Sequence, residues 1–122
     1  MLPEWIEHKI NIEKSKDALQ GADLSYNKLM QARLDGAQLQ GADLSYAYLM
    51  QADLRGADLS DADLTSAVIS EANLQGANLE GADLTGADIT GADFARVNLK
   101  GVKGLETAVG RDAALNIDAA QR

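Results

Sequence analysis

The chain has 122 residues, a net charge of −8 at pH 7, no cysteine and an aromatic content of only 4%. This length is that of a single domain, and the lack of cysteine excludes disulfides, thiolate metal sites and cysteine nucleophiles. With so few aromatic side chains, alanine and leucine must fill the interior, which favours a thin, regular structure over a globule.

Residues 1–16 are predicted to form an N-terminal helical cap. Pro3 is a residue typical of helix starts, and Glu4 and Glu7 place negative charge in the first turn, where it is favourable. The predicted helix therefore covers residues 3–13. The same segment carries charges where a secretory signal has an apolar core, and no apolar run approaches the ~18 residues of a membrane span. We expect a cytoplasmic protein that does not bind membranes.

Residues 17–101 are predicted to form a solenoid because they repeat every five residues. Steps of five from Leu19 give an unbroken row of seventeen apolar centres, and alanine stands two positions before fourteen of them. Gly21–Gln40 and Gly41–Ser60 are identical at fourteen of twenty positions, which indicates a second period of twenty. The centres after Leu19, which are the predicted core, are Leu24, Leu29, Leu34, Leu39, Leu44, Leu49, Leu54, Leu59, Leu64, Ile69, Leu74, Leu79, Leu84, Ile89, Phe94 and Leu99.

A period of five fits neither a helix nor a flat strand. Five helical steps leave successive centres roughly 140° out of phase, and an odd spacing in a strand alternates between its two faces. The chain must therefore turn within each unit, at a position where glycine or a polar residue accepts unusual backbone angles. Four such turns close a square after twenty residues, so that residues i and i+20 stack at the ~4.8 Å spacing of paired strands.

The units GADLS, QADLR, GADLT and GANLE resemble the A-(D/N)-L-x-x signature of the pentapeptide-repeat family. The pattern is similar to that of small cyanobacterial members, most of which have no assigned function. The resemblance covers residues 17–101. It implies an all-β solenoid, specifically a right-handed quadrilateral β-helix of about four coils with short helical caps.

Residues 102–122 are predicted to be a C-terminal helical cap or tail. Gly101 and Gly104 interrupt the five-residue rhythm, residues 105–109 are compatible with a short helix, and Asp112 is a candidate N-cap for a further helical turn. Solenoids need terminal caps, because an open coil end exposes unpaired backbone groups and apolar side chains.

The negative charge of the chain is confined to its repeats. Residues 17–101 contain thirteen acidic and five basic side chains, whereas the flanking segments are balanced. Direct binding to nucleic acid is not expected, because a phosphate backbone requires a basic surface.

One register of the repeat is acidic throughout and is predicted to form a ladder down one side of the solenoid. The first interpretation is a cation site or a strip that mimics DNA phosphates. The second is that each aspartate accepts a hydrogen bond from the adjoining turn, and asparagine at the equivalent place in other units favours it. The acidic ladder comprises Asp23, Asp43, Asp63 and Asp83.

No catalytic residue, metal site or cofactor is predicted. His8 is the single histidine, and no Ser-His-Asp set, phosphate-binding loop or metal-ligand spacing accompanies it. A solvent-facing histidine on the N-terminal helix is therefore the favoured interpretation.

Another side of the predicted solenoid is apolar on the outside as well as the inside. An apolar patch of this size usually indicates that something covers it. The candidate covers are the N-terminal helix, which presents Trp5, Ile6 and Ile10, a protein partner, or a second copy; the helix is the first choice. The patch, called here the tyrosine face, comprises Tyr26, Met30, Tyr46, Tyr48, Met50 and Val68.

These features predict a non-enzymatic protein-interaction or scaffold module of unassigned cellular role. We expect an unknown protein partner and a monomer or weak homodimer. The alternative comes from the resemblance to the quinolone-resistance members of the family: a DNA-mimicking modulator of gyrase, a type II topoisomerase. The acidic repeats are compatible with it, but four coils span only ~20 Å and no insertion interrupts them.

Overall fold

The structure, a computed structural model, describes residues 1–120. Helix α1 spans Glu4–Lys14 and is preceded by Pro3, whose backbone is extended. A short 3-10 helix, Lys16–Ala18, leads into the first coil. The predicted N-terminal helix is therefore present, shifted by one residue. No helix in this part of the chain is long and apolar enough to cross a membrane.

Parallel backbone bridges join residues twenty apart along four sides of the stack. Each bridging residue donates its N–H to the coil before it, and the next residue donates to the coil after it; Asp43 N bonds Ala22 O at 2.9 Å and Leu44 N bonds Asp63 O at 2.7 Å. The predicted period of twenty is thus the length of one coil. The bridged ladders, called the first to fourth sides, are Asp23–Asp43–Asp63–Asp83, Lys28–Tyr48–Val68–Asp88, Arg33–Asp53–Asn73–Asp93 and Gln38–Asp58–Asn78–Asn98.

The corners between sides are tight turns whose third residue has a positive φ. Ala62 N, for example, donates to Leu59 O at 3.0 Å across such a turn, and every fifth residue from 21 to 101 has φ between 56° and 73°. A positive φ at this position is the mark of a type II turn. Glycine adopts it most cheaply, yet eight of these corners hold another residue, among them Tyr26 and Tyr46.

The interior is a column of leucine and alanine. The sixteen centres from Leu24 to Leu99 are at most 4% exposed, and the alanines two positions earlier, from Ala32 to Ala92, are at most 1% exposed. Within residues 1–120 no polar or charged residue is buried. Each side has room for one centre and one alanine, which explains the low aromatic content.

The ladders continue beyond residue 101 in units of six residues. Lys103, Val109 and Leu115 bridge the fourth-coil residues of the first three sides at separations of 20, 21 and 22 residues. A residue with positive φ followed by a 3-10 turn takes up the extra residue at each corner. The three turns are Leu105–Thr107, Arg111–Ala113 and Ile117–Ala119.

This fifth coil differs, over residues 102–120, from the helical ending expected over 102–122, the last two residues of which lie outside the described part of the chain. The helix expected over 105–109 is a single 3-10 turn, because a longer helix would carry the chain away from the bridge at Val109. Asp112 lies inside the second turn, and the residue that precedes that turn is Gly110, with φ 80°.

Helix α1 lies across the open end of the first coil. Ile12, which is 6% exposed, packs into the leucine column. In later coils, certain backbone groups bond to the preceding coil. The first coil has no preceding coil, and three of its equivalent groups bond instead to α1 or to the 3-10 helix that follows it. These bonds are Lys9 Nζ to Met30 O at 3.2 Å, Arg33 N to Glu13 Oε2 at 2.7 Å, and Gln38 N to Lys16 O at 2.7 Å.

Candidate interaction surface

The outer face of the second side has three positions in each coil: a corner, the bridging residue, and the residue after the centre. These positions are apolar or aromatic in the first two coils, apart from Lys28, and become polar by the fourth. In coil order the rows are Tyr26–Lys28–Met30, Tyr46–Tyr48–Met50, Ser66–Val68–Ser70 and Gly86–Asp88–Thr90. The twenty-residue stacking therefore brings all six residues of the tyrosine face onto one surface.

The tyrosines of this face are open to solvent. Tyr26, Tyr46 and Tyr48 are 65%, 47% and 41% exposed. The rings of Tyr26 and Tyr46 stack with centroids 5.0 Å apart and an interplanar angle of 3°. Each of these two residues occupies a left-handed corner, which costs roughly 1–2 kcal/mol for a residue with a Cβ. Ring stacking of about 0.5–1.5 kcal/mol offsets only part of that cost.

Helix α1 was predicted to cover the tyrosine face, and this prediction is wrong. The helix packs on the coil end, because that end offers it both unpaired backbone groups and apolar side chains. Lys9 Nζ bonds the backbone oxygen of Met30, and Trp5 is the helix side chain that lies against the face. Together with Lys28, Met30, Tyr48 and Met50 it lines an open groove of ≈ 300 Å³.

The groove carries positive charge in an otherwise acidic solenoid. Lys28 lines it, and Lys9 lies beside it, with Nζ 5.9 Å from the centroid of the Trp5 ring and bonded to Met30 O. The two salt bridges found within residues 1–120 involve neither lysine. Both ammonium groups are therefore left without a carboxylate partner in that part of the chain.

The four aspartates of the acidic ladder accept hydrogen bonds from the adjoining turns. Oδ1 of each accepts the backbone N–H two residues later at 2.9–3.1 Å, as the hydrogen-bonding interpretation requires. The hydroxyl of Ser25 and then its backbone N–H lower the pKa of Asp23. The hydroxyl and N–H of Thr85 do the same to the pKa of Asp83, with a smaller contribution from Lys103.

Within residues 1–120, no group of three His, Cys, Asp or Glu side chains is placed to hold a metal ion. His8 lies exposed on α1 beside Glu4 and Trp5.

Sequence reasoning missed Lys28 and the groove of which it is a part. Lys28 occupies the same register as Tyr48 and Val68, so the sequence did contain the signal that it belongs to the face. Trp5 was predicted to help cover the face and does lie beside Met30 and Tyr48, but the open groove it forms there depends on how the helix meets the coil end.

Comparison with known proteins identifies the repeats. The sequence profile described as "Pentapeptide repeats" matches in eight copies, over residues 19–56, 32–70 and 62–101. The chain belongs to the pentapeptide-repeat family. The predicted resemblance is thereby confirmed, and members of this family are known to form right-handed quadrilateral β-helices. No curated protein matched the chain.

Two solved structures of cyanobacterial pentapeptide-repeat proteins are similar to this chain. Rfr23 from Cyanothece 51142 is 40% identical with a TM-score of 0.71, over 73% of this chain and 60% of its own. The protein alr5209 from Nostoc PCC 7120 is 32% identical with a TM-score of 0.50, over 95% of this chain and 93% of its own. The chain thus spans 60% of the length of the Cyanothece protein.

A third similar structure is that of a quinolone-resistance protein. QnrB1, a plasmid-mediated fluoroquinolone resistance protein, is 21% identical in its trypsin-treated form, with a TM-score of 0.44 over 69% of this chain and 61% of its own. A similarity this remote carries no argument about the function of the present chain.

Proposed function

We propose that this chain is a non-enzymatic protein-interaction or scaffold module that presents the tyrosine face to a partner. The observation that carries the proposal is the exposure of Tyr26, Tyr46 and Tyr48 on one side of the first two coils. The same positions on the other three sides of those coils hold only polar, charged or glycine residues. Pentapeptide-repeat proteins are generally structural or interaction modules without enzymatic activity, which agrees with this assignment.

The energetic reason for a partner is the cost of leaving the face in water. Apolar area buried in a complex contributes about 25 cal/mol per Å² before the costs of association are subtracted. Aromatic residues such as Tyr48 are also enriched among the residues that dominate binding energy. The bridged ladder fixes the backbone that carries these side chains, so that little backbone entropy is lost on binding.

Under this proposal, α1 is the N-terminal cap of a right-handed quadrilateral coil. Its bonds to Met30 O and Arg33 N, together with the bond from Gln38 N to Lys16 O just after the helix, support the assignment, because they occupy backbone groups that would otherwise pair with another strand. The helix thus leaves the side of the coil as the surface for recognition. The cytoplasmic location inferred from the sequence stays a prediction.

Affinity capture from an extract of the source organism tests the proposal. The immobilised chain should retain one or more proteins, and Tyr48→Glu should release them by placing a charge in the centre of the face. Gln38→Glu is the matched control, since it introduces the same side chain at the same register on the fourth side. Equal capture by Tyr48→Glu and the unaltered chain would contradict the proposal.

The gyrase-modulator alternative is supported by the acidic first side, where four aspartates stack in register. Asp23, Asp43 and Asp63 remain partly or fully exposed although they bond their turns. A supercoiling assay with purified gyrase tests the alternative. Altered supercoiling that is lost when these aspartates are replaced by asparagine would favour it over the scaffold.

A further inference from the structure

We infer that the groove between Trp5 and the second side binds a short segment of a partner protein that combines an apolar anchor with a carboxylate. This inference rests on the proposed interaction function and names the chemistry of the partner. It is carried by the lining of the groove and by the two lysines beside it.

The floor and walls of the groove suit an apolar anchor. Met30 and Met50 contribute flexible thioether side chains that adapt to the shape of what they bind, while Trp5 and Tyr48 offer large rigid surfaces. Met30 and Met50 are partly buried. Trp5 forms the one wall that comes from helix α1, and the other lining residues belong to the second side. A leucine, methionine or phenylalanine side chain inserted here would contact both parts of the molecule.

The charge of the groove favours a segment that carries a carboxylate beside its apolar anchor over a segment that has the anchor alone. Lys28 and Lys9 lack carboxylate partners within residues 1–120, whereas the repeats as a whole are strongly acidic. An acidic segment is therefore repelled by most of the solenoid and attracted at this groove, so that charge specifies the place and register of binding. Nucleic acid also combines aromatic contact with cations, but its phosphates would meet the acidic sides of the solenoid.

The size of the face limits the bound segment to a few residues. It extends over three coils at ~4.8 Å spacing and about three residues at ~3.3 Å, which gives an area roughly 10 Å on each side. This matches three or four extended residues, or one turn of helix. The stacked pair Tyr26–Tyr46, held at costly left-handed corners, extends the face beyond the groove and offers a second aromatic surface.

Peptide selection against the intact chain tests the inference. Random peptides displayed on phage would be selected on the full-length protein, and enriched sequences would be synthesised and titrated by fluorescence anisotropy. We expect enriched peptides to contain both an apolar anchor and Asp or Glu. Tyr48→Ala and Lys28→Glu should each weaken their binding by about tenfold, and added salt should weaken binding to the unaltered chain.

Two controls separate loss of the groove from loss of the fold. Lys103→Glu makes the same charge change at the equivalent bridging position of the first side, and should leave affinity within about twofold, the effect of a remote charge. The melting temperatures of Lys28→Glu and Tyr48→Ala should match that of the unaltered chain, since Lys28 and Tyr48 are exposed. A variant that fails to fold would be replaced by Met50→Gln, which alters the groove without adding charge.

Several outcomes would overturn the inference. These are the absence of enriched peptides, enrichment of basic or purely apolar peptides, or binding that Lys28→Glu and Tyr48→Ala do not change. Self-association that Tyr48→Ala abolishes would make a second copy the occupant and overturn it as well. If affinity capture still depends on the tyrosine face while the selected peptides do not, the interaction function survives and only the partner chemistry is wrong.

Discussion

The four coils built from five-residue units and the fifth coil built from six-residue units share their ladders but differ in their interiors. The first four bury every centre to 4% exposure or less. In the fifth coil, Ile117 and Ala120 are buried at 8%, while Val102, Leu105 and Ala108 are only partly buried. The backbone bridge is therefore sufficient to stack a coil, whereas the filling of the interior determines how much that coil stabilises the solenoid.

The largest expected difference between the two regions comes from removing a leucine. Leu64 is 1% exposed in the middle of the column, so Leu64→Ala should leave a cavity and cost about 2–5 kcal/mol. Leu105, which packs against the core from the fifth coil, is only partly buried, so Leu105→Ala should cost roughly 0.5–2 kcal/mol, less than Leu64→Ala. Urea unfolding followed by circular dichroism measures both. Similar losses for the two variants would mean that the interiors do not differ energetically.

The corners give a second, smaller contrast. A Cβ at Gly56 would meet nothing within 4 Å, so Gly56→Ala should cost only the left-handed backbone, about 1–2 kcal/mol. A Cβ at Gly104 would collide with the backbone and side chain of Thr85. Gly104→Ala should therefore cost about 1–3 kcal/mol more, as overpacking does.

Thermal unfolding of the two glycine variants tests this contrast. Equal melting temperatures would show that the six-residue corner relaxes away from Thr85, and that the fifth coil is held more loosely than its ladder indicates.

The smallest expected effect concerns acid stability where the fourth and fifth coils meet. Hydrogen bonds from Thr85, and to a smaller extent Lys103, lower the pKa of Asp83. A carboxyl whose pKa is lower in the folded state than in the unfolded chain stabilises the fold above its unfolded pKa. That contribution is lost as the pH falls below about 4 and through the folded pKa. Melting temperatures should therefore fall less steeply below this pH in Asp83→Asn than in the unaltered chain, and parallel slopes would contradict the prediction.

Much of the structure of the repeat region could be predicted from the sequence, because each five-residue unit has the same buried positions and the same turn. A centre such as Leu64, the alanine at Ala62 and the corner at Ser66 recur at fixed spacing, so stacking at twenty follows from geometry. The fifth coil was missed because its period changes. The signal was present in Gly104, Gly110 and Asn116, six residues apart and each four residues before an alanine, but three units are a weak pattern beside seventeen.

The surface could be predicted only in part. The register of the tyrosine face follows from the period of twenty, but the position of α1 does not. Trp5, Ile6 and Ile10 are compatible with covering either the face or the coil end, and the choice depends on backbone groups of the first coil that no pattern of side chains reveals. The groove exists because helix α1 packs on the coil end, which places Trp5 at the rim of the groove.

The six-residue corners have a consequence for insertions and deletions in this chain. In an ordinary sheet, one inserted residue turns every later side chain to the opposite face. Here the bridges at Val109 and Leu115 keep their alignment although one and then two residues have been added before them. Each corner confines an added residue to its own side, so the orientation of all later side chains is preserved. Insertions or deletions of single residues at the corners can therefore accumulate in this solenoid. Each changes the shape of one side and does not change which side chains the following coil exposes.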